Sequence, residues 1–154
     1  MTPTIGDTLP PFTLQATGGK PISLADLKGR KAVIYFYPKD DTTGCIKEAI
    51  DFTALKKDFA EAKTEVIGIS ADSLKSHEKF AKKHGLDLTL AADEDRTLID
   101  ALGLWVEKSM YGRAYMGIER TTILLDADGR IARIWPKVSV PGHAEEVLEA
   151  AKAL

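Results

Sequence analysis

The sequence has 154 residues but only one cysteine, Cys45. One thiol cannot close a disulfide within the chain. Because Cys-x-x-Cys and His-Glu-x-x-His patterns are also missing, the sequence disfavours a structural zinc site and a dithiol redox centre. The histidines are poorly spaced for a metal: His77 and His84 are two turns apart on one predicted helix, and His143 is remote. We expect no metal and no cofactor.

Several other features are missing. No apolar run approaches the roughly 20 residues that span a bilayer. Residues 1–12, MTPTIGDTLPPF, lack the basic and apolar regions of a signal peptide, so we expect a cytoplasmic protein. A net charge of −2 gives no reason to expect binding to nucleic acid or to an anionic membrane. No glycine-rich phosphate loop is present.

What is present is an ordinary globular composition, with 44% hydrophobic and 29% charged residues. This length favours a single domain over residues 1–154. Strands and helices alternate early and the chain closes with a hairpin, which predicts an α/β fold on a mixed central sheet flanked by helices.

The pattern of apolar residues gives the elements. Hairpins are predicted around Gly18-Gly19 and Asp128-Gly129, because both pairs are strong turn signals. The predicted buried strands are 31–37 and 64–71, with a shorter one within 86–93; the predicted helices are 43–62, 73–84, 94–102 and 142–153. Residues 104–113 are predicted to be irregular.

The stretch YPKDDTTGC, residues 37–45, carries the clearest chemical signal. It places Cys45 after a buried strand, in the first turn of a predicted helix with Thr42 or Thr43 as N-cap. Unpaired N–H groups and the helix dipole favour a thiolate there. A lone cysteine is more often an inert buried residue, so the residues alone leave both interpretations open.

The spacing of Pro38, Thr42 and Cys45 resembles the Pro-x-x-x-Thr-x-x-Cys signature of the peroxiredoxins. The surrounding sequence is most similar to the bacterioferritin-comigratory, or Q-type, subfamily. Further similarity lies in residues 66–86, 110–131 and 140–148, so it covers nearly the whole chain in order. The resemblance implies a thioredoxin-like fold with an N-terminal β-hairpin, and a thiol peroxidase that reduces hydrogen peroxide and organic hydroperoxides in antioxidant defence.

The resemblance also implies roles for individual residues. Cys45 would attack the peroxide, Thr42 would hydrogen-bond the peroxide or thiolate, and N–H groups near Gly44 and Cys45 would add donors. Arg120 matches the active-site arginine of the family, and Glu48 could orient it. Without the resemblance, the sequence favours a solvated strand position for Arg120 and an exposed helix position for Glu48.

Two departures from the family stand out. Thr43 replaces a common proline, and a resolving cysteine is missing from both family positions, Ile50 and Ala81 in this sequence. Either the enzyme naturally has one catalytic cysteine, or a resolving cysteine was removed. We favour the first, because Ile50 fits the predicted apolar stripe of its helix.

The expected partners follow from that single cysteine. A thioredoxin, a glutaredoxin or a low-molecular-weight thiol would have to reduce the Cys45 sulfenic acid. We expect a monomer. The alternative function is a non-catalytic peroxide sensor or redox-regulated binding module. Trp105, Met110, Tyr111 and Tyr115 are expected to pack in the core or, alternatively, to form an apolar rim that favours organic hydroperoxides.

Overall fold

The computed structural model describes residues 3–154 as a mixed sheet with helices on both faces. The strands are β1 (Thr13–Ala16), β2 (Ile22–Ser23), β3 (Lys31–Phe36), β4 (Thr64–Ser70), β5 (Thr89–Ala92), β6 (Trp105–Met110), β7 (Arg113–Ile118), β8 (Thr121–Leu125) and β9 (Ile131–Trp135). The helices are α1 (Thr43–Ala54), α2 (Lys56–Glu61), α3 (Leu74–His84), α4 (Thr97–Ala101) and α5 (His143–Ala153), with a short 3-10 turn at Leu24–Leu27.

Seven strands form the central sheet in the order β2-β1-β5-β4-β3-β8-β9. Strands β3, β4 and β5 are parallel to one another, whereas β1 and β8 run antiparallel to their inner neighbours. This arrangement confirms the predicted α/β class, the mixed sheet and both predicted hairpins. It also brings the carboxyl end of β3 beside the start of β8, because Phe36 pairs with Thr121.

The central strand β3 separates two apolar cores. Its side chains alternate, so that Ile34 lies in a core with residues of α4, while Tyr35 lies in a core with residues of α1, α2, α3 and α5. Burial on both faces explains why the sequence of β3 is a continuous apolar run. Residues 37–42 then lead from β3 into α1.

Two predicted helices have different limits in the structure. The helix expected over residues 43–62 is interrupted at Leu55, where φ is −101° and ψ is 4°, so α1 and α2 are separate. The helix expected over residues 94–102 is shorter and follows Arg96, which has a positive φ of 62°. The apolar spacing of the sequence continues past the end of α1 at residue 54 and before the start of α4 at residue 97. For this reason the spacing did not predict either limit.

The prediction of an irregular segment at residues 104–113 was wrong. Strands β6 and β7 form a separate two-stranded hairpin, with six paired positions from Trp105↔Ile118 to Met110↔Arg113. Its turn is Tyr111-Gly112, and both residues have positive φ. Outer parts of the hairpin are exposed on both faces, so its strands lack the apolar alternation that signals a strand.

Ile50 was also misplaced by the sequence pattern. The buried face of α1 consists of Cys45, Glu48, Ala49 and Phe52, whereas Ile50 is 43% exposed. Ile50 therefore does not belong to the buried stripe of α1, contrary to the prediction, and the position is open to a polar residue. Among the helices in residues 3–154, none combines the length and the apolar character of a membrane span.

Candidate active site

Cys45 lies at the carboxyl end of β3, in the first turn of α1. It is the third residue of the helix, and its side chain is almost completely buried, with 1% of the residue exposed. The hydrogen bond from Ile46 N–H to Thr42 C=O opens the helical ladder. The amides of residues 43–45 precede that ladder, so the sulfur sits beside the positive end of the helix dipole.

Arg120 reaches the sulfur from the segment between β7 and β8. Its Nη2 donates a hydrogen bond to Cys45 Sγ at 3.3 Å. The backbone holds this position as well, because Val138 N–H donates to the Arg120 carbonyl at 2.9 Å. The guanidinium therefore places a positive charge in direct contact with the sulfur. The structure thus brings together two residues that are 75 positions apart in sequence.

Glu48 holds the other side of the guanidinium. Arg120 Nη1 donates to Glu48 Oε1 at 2.6 Å, and Glu48 is buried rather than exposed. Burial raises the pKa of Glu48 to about 7, although the charge and hydrogen bond of Arg120 act in the opposite direction. Its second oxygen, Oε2, is buried without a hydrogen-bond partner among residues 3–154. Unlike an ordinary surface glutamate, Glu48 is therefore able to carry a proton near neutral pH.

The loop in front of the sulfur contains Pro38 and Thr42. Pro38 follows β3 directly after Tyr37, and Thr42 occupies the N-cap position of α1. The Thr42 side chain makes no capping hydrogen bond; its hydroxyl instead donates to the Lys39 carbonyl at 2.8 Å. That geometry engages the hydroxyl proton and leaves the oxygen lone pairs available as acceptors.

Gly44 provides space for the guanidinium. A Cβ at this position would lie 3.1 Å from Arg120 Nη2, which is closer than an ordinary van der Waals contact. The sequence marked Gly44 only as a possible backbone donor. Its lack of a side chain also allows Arg120 to approach the first turn of α1.

A buried polar network behind the loop was missed by the sequence analysis. Asp40 accepts hydrogen bonds from Tyr37 Oη at 2.6 Å and Ser76 Oγ at 2.8 Å, and its Oδ2 lies 2.8 Å from His77 Nδ1. His77 Nε2 lies 2.9 Å from the Ala91 carbonyl. Both ring nitrogens of His77 therefore lie within hydrogen-bond distance of an oxygen acceptor.

Asp72 extends this network. It accepts from the Asp40 N–H at 2.8 Å and from Ser70 Oγ at 2.6 Å. One ligand-type atom from each of Asp40, Asp72 and His77 lies within 4.8 Å of the others, which is compact enough for an ion. However, these three side chains are already hydrogen-bonded to neighbouring protein groups. We therefore interpret the cluster as an anchor of the loop. Sequence spacing gave no signal, because Asp40 and His77 are 37 residues apart.

Comparisons with known proteins agree with this geometry. Residues 5–134 match the model of the AhpC/TSA family. The chain belongs to that family. It is 43% identical over 152 residues to peroxiredoxin Bcp of Bacillus subtilis, covering 99% of this chain and 97% of the relative. It is 45% identical over 140 residues to peroxiredoxin Bcp of Xanthomonas campestris, covering 91% and 88%.

Solved structures show the same fold. A cysteine-to-serine mutant of Xylella fastidiosa PrxQ matches with a TM-score of 0.93 and 40% identity, over 99% of this chain and 98% of that one. The bacterioferritin comigratory protein of Xanthomonas campestris, studied for alkyl peroxide reduction, matches with a TM-score of 0.87 and 42% identity, over 96% and 98%. The predictions of a thioredoxin-like fold and a Q-type peroxiredoxin are confirmed. The chain is a thiol peroxidase with Cys45 as its peroxidatic cysteine.

Proposed function

We propose that the side chains around Cys45 divide the peroxidase reaction among them. Arg120 keeps the sulfur ionised and stabilises the departing oxygen, Glu48 positions Arg120, and Pro38 and Gly44 shape the pocket. The observation that carries this proposal is the continuous contact from Glu48 through Arg120 to the sulfur, at 2.6 Å and 3.3 Å.

The chemical step is an in-line displacement at oxygen. The Cys45 thiolate attacks the terminal O–H oxygen of the hydroperoxide, an S–O bond forms and the O–O bond breaks. Cys45 becomes a sulfenic acid, and the other oxygen leaves as an alkoxide or hydroxide that takes a proton from water. Negative charge thus moves from sulfur to the leaving oxygen, so donors at both positions stabilise the transition state.

Two groups would orient the peroxide before attack. The Thr42 oxygen accepts a hydrogen bond from the peroxide O–H, because its own proton is engaged by the Lys39 carbonyl. The amides of residues 44–45 add N–H donors on the other side of the substrate. Orientation of this kind lowers the barrier by fixing the attacked oxygen in line with the sulfur.

Recycling requires a thiol from outside the chain. Cys45 is the only cysteine in the sequence, so an external thiol condenses with its sulfenic acid, releasing water and forming a mixed disulfide. A second thiol then attacks this disulfide and regenerates Cys45. A thioredoxin, a glutaredoxin or a low-molecular-weight thiol fits this step. We further propose a single-domain monomer over residues 1–154 that works in the cytoplasm, where such reductants are maintained.

The roles of Arg120 and Thr42 can be tested by stopped-flow measurement of Cys45 oxidation. We expect Arg120→Ala to lower the second-order rate constant by about 100-fold or more, and Thr42→Val by about 10-fold or more. Arg30→Ala is the control, because Arg30 pairs with Glu65 on the surface. Unchanged rates in both site variants would contradict the assigned roles.

A second measurement separates the enzyme from a peroxide sensor. The enzyme consumes many equivalents of peroxide when an external thiol is supplied, whereas a sensor is oxidised once and is not recycled. Mass spectrometry of peroxide-treated protein should show oxidation at Cys45, and an adduct after addition of the thiol. Absence of any oxidised Cys45 after stoichiometric peroxide would overturn the peroxidase assignment itself.

A further inference from the structure

The β6–β7 hairpin immediately precedes the catalytic Arg120 in the chain, and its two faces carry different residues. Residues paired across an antiparallel ribbon share a face, and successive pairs alternate between faces. Lys108↔Tyr115 and Met110↔Arg113 are therefore on one side, whereas Glu107↔Met116 is on the other. We use the name hairpin face for the first side together with the turn: Lys108, Met110, Tyr111, Arg113 and Tyr115.

The large apolar side chains of the hairpin face are exposed. Met110 is 55% exposed, Tyr115 is 43% exposed, and Tyr111 at the turn is 98% exposed. Together with Arg113 and Ala114 they line a shallow groove. The expectation of packing in the core was wrong for Met110, Tyr111 and Tyr115, whereas Trp105 packs against the apolar core that contains Ile34. A cluster of large exposed apolar residues on a projecting ribbon is typical of an interaction surface.

The base of the hairpin is joined to the segment that holds the catalytic arginine. Strand β7 ends at Ile118, the Glu119 N–H donates to the Leu104 carbonyl at 2.8 Å, and Arg120 follows. A Cβ at Gly117 would be 3.4 Å from Lys108 Cδ, so the aliphatic stem of Lys108 runs towards the base of the hairpin. Burial lowers the pKa of Lys108, the charge of Arg120 lowers it further, and Cys45 acts in the opposite direction. The hairpin face therefore begins at a partly buried lysine at the base of the ribbon and ends at the exposed turn.

The composition of the hairpin face indicates the kind of partner. Tyrosine, methionine and arginine are enriched in protein–protein interfaces, where they provide large contact areas. The face carries two cations, Lys108 and Arg113, and no acidic residue. It therefore complements a partner with an acidic rim. Transient redox encounters need only small interfaces, so a short ribbon is sufficient.

We propose that the hairpin face docks a protein dithiol that reduces oxidised Cys45. This inference rests on the proposed function, because it supplies the second thiol that the chain lacks. Once the first turn of α1 moves to expose Cys45, one partner thiol attacks the sulfenic sulfur. An S–S bond forms and the hydroxyl leaves as water. The second partner thiol then attacks the mixed disulfide, so the partner leaves as an intramolecular disulfide and Cys45 as a thiol.

The test compares a protein reductant with a small one. The probes are a thioredoxin with its reductase and NADPH, and a glutaredoxin with glutathione and glutathione reductase; dithiothreitol is the small-molecule reference. We expect Met110→Thr combined with Tyr111→Asn to raise the KM for the preferred redoxin by about tenfold. Asparagine tolerates the positive φ of residue 111, so the turn is retained. The KM for dithiothreitol should not change.

Met116→Thr is the matched control. Met116 is 50% exposed on the opposite face of the same hairpin, so its substitution should leave the KM for the redoxin unchanged. The docking proposal is overturned if the double variant and this control behave alike. It is also overturned if neither redoxin reduces the unaltered protein faster than dithiothreitol at equal thiol concentration, which would assign recycling to small thiols.

Two further readouts separate other outcomes. Light scattering that shows a dimer lost in the double variant would assign the face to a second copy of the chain and overturn the docking of a reductant. Stopped-flow oxidation of Cys45 by peroxide, measured without thiol, should be the same in all variants. If peroxide does not oxidise Cys45 in the unaltered protein, the proposed function is contradicted. If oxidation is the same in all variants and only the KM for the redoxin rises in the double variant, the docking proposal is supported.

Discussion

At the scale of single residues, the active site is a buried arrangement of charges around one sulfur. Arg120 lies between two acceptors, the Cys45 sulfur and the Glu48 carboxylate. When Glu48 is ionised it offsets part of the guanidinium charge, and when it is protonated more of that charge acts on the sulfur. Glu48 therefore couples the pH of the medium to the electrostatics of the thiolate.

This coupling predicts a pH-dependent contribution to stability. Burial raises the pKa of Glu48 from its ordinary value of 4.5 to about 7, with Arg120 opposing the increase. Between these values the folded protein retains a proton that the unfolded chain has released. The contribution is therefore complete below pH 4.5 and is lost as pH rises through about 7.

Glu48→Gln removes this titration. Because glutamine does not ionise, we expect the stability of the unaltered protein relative to the variant to fall by about 2–3 kcal/mol between pH 5 and pH 8. Urea denaturation of both proteins at several pH values measures the difference. A constant difference across this range would show that Glu48 does not titrate there.

Gly44 gives a second prediction at this scale. Gly44→Ala places a Cβ 3.1 Å from Arg120 Nη2, so the guanidinium has to shift away from the sulfur. We expect Cys45 oxidation to slow by about tenfold, because small displacements of a positioned group are costly. Thr43→Ala is the control in the same helical turn. The interpretation is wrong if both variants keep the full oxidation rate while remaining folded.

At the scale of elements, the site depends on how the loop between β3 and α1 is held. The buried Asp40–His77 pair joins this loop to α3, and the Ala91 carbonyl joins His77 to β5. Asp72, which follows β4, holds the backbone of the loop through the Asp40 amide. The ends of three parallel strands therefore contribute to the position of the first turn of α1.

His77→Ala should release that loop. Removing one partner of a buried, hydrogen-bonded pair leaves the Asp40 carboxylate uncompensated, so we expect the unfolding free energy to fall by about 3 kcal/mol. Oxidation of Cys45 should slow as well, since the loop carries Thr42. His84→Ala is the control, because His84 contacts the exposed Asp41. Equal stability losses in both variants would show that the network does not anchor the loop.

At the scale of the whole molecule, the decisive fact is that the chain contains one thiol. A single cysteine cannot form a disulfide within one chain, so the oxidised protein has to be reduced by a thiol of another molecule. We expect a mass near 16.8 kDa by light scattering, both before and after peroxide treatment without thiol. A doubled mass that appears only after oxidation would show instead that Cys45 of a second copy acts as the resolving thiol.

The exposed surface is consistent with dependence on a partner. The hairpin face is exposed, and Ile50 is 43% exposed on α1. Ile50 is one of the two positions at which the family resemblance implied a resolving cysteine. The apolar pattern of α1 suggested that Ile50 was buried, but a helix of this length has several residues at the boundary of its apolar stripe. Only the packing of α1 against the sheet decided which of them faces the core.

The sequence by itself determined the α/β class, the central strands, the peroxiredoxin family and the identity of the reactive residue. It could do so because local apolar patterns, turn residues and the Pro-x-x-x-Thr-x-x-Cys spacing lie within short segments. Only the tertiary structure decided that Glu48 is buried against Arg120, that His77 anchors the loop, and that residues 105–118 form an exposed hairpin. These features depend on residues far apart in the chain, or on a ribbon without a buried face, so no local pattern records them.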